Sequence, residues 1–488
     1  MLKPTSSEIQ SYAADYSMIP LCREIYADVT TPIALLRKIA QVSNRYCLLE
    51  SVEGGERWGR YSFLGYDPLV HIVCKDHVVT TEYADGRRES VTTDQPNDIL
   101  RALMAQYKAP RIEGFPPFTG GLVGYYAYRM IGYAEPTLHL RSSDVDDFDL
   151  MLFDKVIAYD HLSQKINVIV NMPTDNVLEN YGTARAEIEK MIRLIREPMQ
   201  LPTAHKHCKP QFTCNVTKEE YCDIVNRTKQ HIVDGDIFQA VLSRRFETPY
   251  TDSLLDAYRV LRTTNPSPYM VYLHRDDIEL MSTSPETLVR LRNGRLSTFP
   301  VAGSRPRGAD KEEDFALEKD LLSDEKELAE HNMLVDLGRN DIGKLSQFGS
   351  VEVTDYQMIH RYSRIMHITS VVEGNILPKF DAFDAISTLL PAGTLSGAPK
   401  IRACEIIEDL EPCARGVYGG ALGYVDFTGN MDTCIAIRMA VKKNDRVTIQ
   451  AGGGIVADSI PENEYMESQN KAGAVIAAIE RAAEVDAD

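Results

Sequence analysis

The spacing of apolar residues changes near residue 200. Before that point they gather in short strand-like runs, 46–50 and 155–170 among them, and a helical spacing is clear only over 187–196. Residues 196–211 (REPMQLPTAHKHCKPQ) are polar and aperiodic, so they are expected to link an N-terminal part, 1–200, to a C-terminal part, 205–488. The second part is more regular. Thr217 and Glu220 form a capping box that predicts a helix over 218–235, followed by a strand over 236–250. A long helix is expected over 324–345, with Asp324 and Glu327 as its capping box. Another covers 381–390 and stops at Pro391. The loop PAGTLSGAP then leads into a helix over 399–410, with Pro399 at its first position. Runs at 417–427, 433–442 and 446–451 read as an antiparallel meander, and a last helix starts near Pro461 with Ser459 and Glu462 as its capping box. Strands that meander, helices between them and no regular βαβ alternation make this an α+β chain.

Composition narrows the classes. With 488 residues, 44% hydrophobic and 25% charged, the chain can bury a large core. No apolar run reaches the roughly 18 residues of a membrane helix, and the first twenty residues lack a signal-peptide core. A cytoplasmic protein that does not enter a membrane is therefore expected. The nine cysteines are odd in number and form no CxxC pair, which fits reduced thiols. His205, His207, Cys208 and Cys214 match no common zinc spacing and read as linker. A net charge of −18 argues against nucleic acid as a partner. An anionic substrate would need a local cation or helix end.

Two helices carry the candidate chemistry. In DEKELAEHNMLVDLGRND, Glu327, Glu330 and His331 share a face, and in the last helix Glu464, Glu467 and Lys471 form a second stripe. Each stripe alone reads as a solvated acidic face; converging, the two could hold one Mg²⁺, which takes one or two protein carboxylates and leaves the rest of its shell to water and substrate. PAGTLSGAPK, containing Thr394, is either an anion-binding helix start or a plain capped one. The glycines of AGGGI, Gly452, Gly453 and Gly454, allow close approach to a ligand or make a tight turn. Arg438 is expected within a strand, on one face with Cys434, Ala436 and Ala440, where it must be paired or must grip a carboxylate. His367 could serve as acid or base, although a lone histidine is more often structural.

Together these segments resemble the chorismate-utilising enzymes, of the anthranilate synthase type. The resemblance runs from about Val216 to Ala478 and rests on IFQAVLSRRF, STSPETLVR, PVAGSRPRG, DEKELAEHNMLVDLGRNDIGKL, YSRIMHITSVVEG, PAGTLSGAPKIRA, YGGALGY, MDTCIAIR and QAGGGIVADSIPENEYMESQNKA. LLESVEGGERWGRYSFLG extends it, less tightly, into the N-terminal part. It implies a layered αββα sandwich of mostly antiparallel sheets shared by the two halves. It also implies Mg²⁺ bound by Glu330 and Glu467, with Glu327 and Glu464 supporting the metal or moving protons. Chorismate would be held by Gly303, Ser304, Tyr418, Arg438, Gly452, Gly453 and Gly454. Thr394 would contact the pyruvyl end, His367 would assist departure of the ring hydroxyl, and Lys471 would be a nearby positive group.

Two positions separate relatives. Isochorismate and salicylate synthases carry lysine where Gln239 stands, and a neutral amide cannot activate water. Aminodeoxychorismate synthases often carry a nucleophilic lysine where Ala302 stands. Both positions favour the lyase that makes anthranilate over aminodeoxychorismate synthase, and the four glutamates favour it over a non-catalytic amino-acid-binding regulator. No glutamine-hydrolysing machinery is visible, so the resemblance implies a separate glutamine amidotransferase subunit as partner. Ser51 in LLES, with Pro268, Tyr269 and Met270 in NPSPYM, would bind tryptophan as a feedback inhibitor.

Overall fold

The computed structural model describes residues 2–28, 30–51, 59–198, 209–361 and 365–485. His205, His207 and Cys208 lie outside these residues, as does most of VEGGERWG.

Two antiparallel sheets stack face to face, of 13 and 12 strands among the described residues. Both draw on early and late sequence. In the first sheet Arg45–Glu50 pairs with Tyr269–Arg275, and in the second Gly121–Tyr126 pairs with Ala421–Asp426. Strand alternation builds three apolar layers. In Tyr269–Arg275, Met270 and Tyr272 face the helices Val177–Arg196, Leu254–Thr264 and Pro461–Glu480, while Val271 and Leu273 enter the layer between the sheets. The outer face of the second sheet is covered by Pro96–Met104, Ala382–Leu389 and the end of Glu325–Gly343. The order is therefore helix, sheet, sheet, helix, as the resemblance implies. No helix among the described residues is long and apolar enough to cross a membrane.

Local departures from the expected elements have physical causes. The run 155–170 is a hairpin, Lys155–Asp160 against Lys165–Pro173. The helix expected over 187–196 begins at Val177, and its buried stripe already includes Ala184. The Thr217–Glu220 capping box forms. Asp324 caps its helix through the amides of Lys326 and Glu327 at 3.1 and 3.2 Å. The Glu327 carboxylate does not complete that box; it lies with Arg305 and beside Gly303 instead. Ser459 accepts from the Val456 amide at 3.1 Å, closing the preceding turn, so Ile460 rather than Ser459 caps the last helix. Pro399 takes the cap position and the helix is Lys400–Leu410.

The C-terminal meander is not one meander. Ala421–Asp426 and Met431–Ile435 belong to the second sheet, whereas Met439–Lys443 and Arg446–Ile455 belong to the first. The chain crosses between sheets at 436–438, and Arg438 makes the corner with φ +47°. Arg438 is thus not a strand residue alternating with Cys434 and Ala436. A non-glycine residue in the left-handed region costs energy that its surroundings must offset.

Candidate active site

The crossing opens a cavity of 720 Å³ between the sheets. Gly303, Ser304, His367, Thr394, Tyr418, Arg438, Gly452, Gly453, Gly454 and Lys471 all line it, so residues scattered over 169 positions in sequence meet there, from 303 to 471. Ala302 lines it too. The three glycines sit in the strand Arg446–Ile455, not in a turn. A Cβ at Gly452 would lie 1.9 Å from the Leu242 carbonyl oxygen, and one at Gly454 would lie 2.5 Å from Gln239 Nε2. This wall therefore presents bare backbone to the cavity, with the Gln239 amide beside it. Lys471 Nζ donates to the Gly452 carbonyl at 3.1 Å.

Gly303 bulges out of its strand with φ +78°, between Ala302 and Ser304. Its carbonyl accepts from His367 Nδ1 at 3.3 Å, because a carbonyl can only accept. That fixes the proton on Nδ1 and makes Nε2 the acceptor nitrogen of a neutral ring. Burial, aided by the Arg438 charge, holds the imidazole below its usual value. Burial likewise lowers Arg438, against the opposing pull of Glu286. His331, expected to share a face with Glu327 and Glu330, instead turns into the core, where Nε2 meets Ser370 Oγ at 2.7 Å.

Two helices bring four carboxylates to the cavity's edge. Glu327 lies beside Gly303, and Glu464 and Glu467 lie beside Gly453. Glu330 is raised above the usual carboxylate range by burial, then by the Glu327 charge and by Glu467 from the other helix. Glu464 is raised by burial and by Glu467, against a hydrogen bond from Ser459. Lys471 meets Glu467 at 2.7 Å and Arg305 reaches Glu327 at 3.5 Å. Carboxylates that repel one another on facing helices suit a cation. Among the described residues no three His, Cys, Asp or Glu form a closed metal cage, and an ion that keeps most of its shell for water and substrate needs none.

The sequence reading missed Glu286. Its carboxyl accepts from Thr394 Oγ1 at 3.0 Å, and the residue lines the cavity. Burial pushes it up to about 7, with Thr394, Arg438 and Lys471 pulling it back. Thr394 is thereby committed to Glu286. The signal was present in STSPETLV, a lone acid at the junction of two strand-forming runs.

A second cavity of 330 Å³ is lined by Glu50, Ser51, Pro268, Tyr269 and Met270. Ser51 Oγ is buried with no partner among the described residues. Tyr269 Oη donates to Asp432 at 2.7 Å, so its ring rather than its hydroxyl is on offer.

Comparison with known proteins gives one answer. Residues 47–477 match the chorismate binding enzymes as a family. The chain is 45% identical to anthranilate synthase component 1 of Acetivibrio thermocellus, over 99% of this chain and 100% of that protein. It is 44% identical to anthranilate synthase component 1 of Pseudomonas aeruginosa, over 97% and 98%. Among solved structures, anthranilate synthase component I of Streptococcus pneumoniae superimposes with a TM-score of 0.77 at 37% identity, covering 93% of this chain and 99% of that one. The menaquinone-specific isochorismate synthase of Escherichia coli shares the fold, with a TM-score of 0.70 at 18% identity over 97% and 98% of the two chains.

Proposed function

The chain belongs to the family of chorismate binding enzymes, and from that premise we propose that it converts chorismate and ammonia to anthranilate and pyruvate, the committed step toward tryptophan. The observation that carries this reading is the meeting, in one cavity, of a carboxyl that burial raises to about 7 with a histidine whose Nδ1–H is engaged by the Gly303 carbonyl, leaving Nε2 as the acceptor nitrogen. The chemistry needs one acid and one base, in that order. Arg438 and the bare wall at 452–454 hold the substrate's carboxylates. Ammonia attacks the ring carbon next to the carboxylate-bearing carbon. The distant hydroxyl leaves as water with the proton from Glu286, which Thr394 orients. The added nitrogen returns a proton to the Glu286 carboxylate, His367 takes the ring proton from the aminated carbon, and the bond from the ring to the enolpyruvyl oxygen breaks as the ring becomes aromatic; the enolate that leaves takes up a proton on its methylene carbon to become pyruvate. His367 could also assist the hydroxyl's departure, but a ring held neutral is a better base than acid.

Glu330 and Glu467 would hold Mg²⁺, with Glu327 and Glu464 behind them. When bound, the ion supplies positive charge against a substrate that is anionic at both ends. Gln239 and Ala302 at the cavity leave neither a lysine base for hydration nor a lysine nucleophile, which favours direct addition of ammonia. Ammonia comes from a glutamine amidotransferase subunit. The second cavity takes tryptophan as a feedback inhibitor, with Ser51 Oγ supplying a hydrogen-bonding group that lacks a partner among the described residues. The N-terminal part, 1–200, supplies the Ser51 wall, and 205–488 supplies the catalytic residues. The test is incubation of the purified chain with chorismate, Mg²⁺ and ammonium. Fluorescent anthranilate and pyruvate, both lost on adding EDTA, are expected; chorismate consumed without anthranilate would overturn the reading.

A further inference from the structure

Behind the wall of the catalytic cavity lies a buried ion pair, Arg415 with Glu411. Glu411 caps the end of the helix Lys400–Leu410. Its carboxylate accepts from Arg415 Nε at 2.9 Å and Nη2 at 2.6 Å, and from the amide and hydroxyl of Ser243 at 2.7 and 2.8 Å. Arg415 also donates to two carbonyls, that of Leu395 from Nη1 and that of Val241 from Nη2, each at 2.5 Å. Leu395 and Val241 line the cavity; Gln450 lines it too and donates to Ser243 Oγ at 2.8 Å. From behind, the pair thus joins three pieces of cavity wall that are distant in sequence: the strand Gln239–Pro249, the turn Gly393–Leu395 and the strand Arg446–Ile455.

We propose that Arg415 is a positioning residue for the reaction: through the Leu395 carbonyl it fixes the turn that keeps the Thr394 hydroxyl on Glu286. The assignment rests on the function proposed above. Stability alone does not account for the pair. Two charges taken out of water lose hydration comparable to the attraction they gain, and apolar residues of similar volume are often equally stabilising or more so. Apolar residues cannot, however, donate to two carbonyls at fixed angles. A planar guanidinium can, while its other edge is locked on Glu411. Leu395 follows Thr394 directly and ends a three-residue turn, so a Leu395 carbonyl that drifts carries the Thr394 hydroxyl with it. That hydroxyl, 3.0 Å from the Glu286 carboxyl, pulls its pKa down against burial. A loosened turn therefore leaves a mark that lost stability does not: the Glu286 carboxyl rises.

The test compares the full chain with Arg415→Lys, which retains a cation beside Glu411 but has no planar fork for two carbonyls. With chorismate, Mg²⁺ and ammonium, kcat is expected to fall about 10–100-fold. The alkaline limb of its pH profile moves to higher pH, because an acid of raised pKa stays protonated further up the scale. The carboxyl is also read without turnover, by infrared difference titration with Glu286→Gln to assign the band; its midpoint is expected to move up in Arg415→Lys. Glu411→Asp keeps the charge and draws the anchor back by one methylene, and it is expected to displace the midpoint the same way even if the lysine variant does not fold. An unmoved midpoint, an unaltered kcat, or a kcat lowered only in proportion to the folded fraction overturns the assignment. A parent chain that makes no anthranilate overturns the functional reading instead, and the titration still decides whether Arg415 holds the turn.

Discussion

Arg262 holds both carboxylate oxygens of Glu50, from Nε and Nη2 at 3.0 Å each. Glu50 lines the second cavity beside Ser51, and Arg262 precedes Thr263 and Thr264, which line the catalytic cavity. Tyr258 Oη adds a bond to Glu50 at 2.9 Å, and Pro268 lines both cavities. The Arg262–Glu50 pair therefore joins the walls of the two cavities. Arg262→Lys keeps the charge on buried Glu50 but loses the planar two-point grip. It is expected to bind tryptophan with near-normal affinity, by calorimetry, while its inhibition curve moves to higher tryptophan by about tenfold. Binding and inhibition that weaken together would deny the pair any transmitting role. Removing the cation altogether strands a buried carboxylate and should cost about 3–5 kcal/mol of stability, so the lysine variant is the informative one.

Ser51→Phe fills the second cavity without touching the first. Turnover with ammonia should match the parent, and inhibition by tryptophan should vanish. A variant inhibited as strongly as the parent would remove Ser51 from the effector site.

Glu286 sets one effect on stability and one on rate. Burial raises its carboxyl to about 7 in the fold, from an ordinary value of 4.5. Below the lower value both folded and unfolded forms are protonated and the cost is absent. As pH rises from there toward 7 the unfolded chain releases a proton that the fold retains, so stability falls through that window and levels off above it. Glu286→Gln removes this slope, measurable as Tm against pH. If Glu286 protonates the leaving hydroxyl, the same variant should lose about 10²–10⁴ in kcat with little change in chorismate KM. An unaltered kcat would exclude it as the acid.

Glu330 is raised by burial and by like-charged neighbours. Glu330→Gln should therefore leave the metal-free fold as stable as the parent or more so, by Tm in EDTA. The Mg²⁺ concentration for half-maximal activity should rise about 10–100-fold. Lower metal-free stability with an unchanged Mg²⁺ requirement would show that the glutamate is structural.

Features written locally were legible in the sequence. The Thr217–Glu220 capping box, the two Glu-x-x-Glu stripes and the alternation of strands such as Tyr269–Arg275 are patterns within a few residues, and resemblance assembled them into one site. Features created by long-range juxtaposition were not. TCIAIRMAV alternates without a break, so nothing marked the passage from one sheet to the other at Arg438. The Glu286–Thr394 bond joins residues 108 positions apart. Ser459 followed by Glu462 had the form of a cap, but the serine is used one turn earlier, by the Val456 amide. Local propensity gives way wherever a competing partner is closer.

His367 offers the sharpest division of labour. Its Nδ1–H is tied to the Gly303 carbonyl at 3.3 Å, and burial keeps the ring neutral. A neutral ring so oriented can take a proton on Nε2. The proton it would take is released only in the second half of the reaction, after ammonia has added. His367→Gln keeps a polar side chain of similar reach but removes the base. Chorismate should still be consumed, because Glu286 and Thr394 serve the first half. Pyruvate release should fall about 10²–10⁴-fold, so that an aminated, non-aromatic intermediate still carrying its pyruvyl group accumulates and is identified by mass. Loss of chorismate consumption in parallel with anthranilate formation would instead place His367 in the first half, as the donor to the leaving hydroxyl.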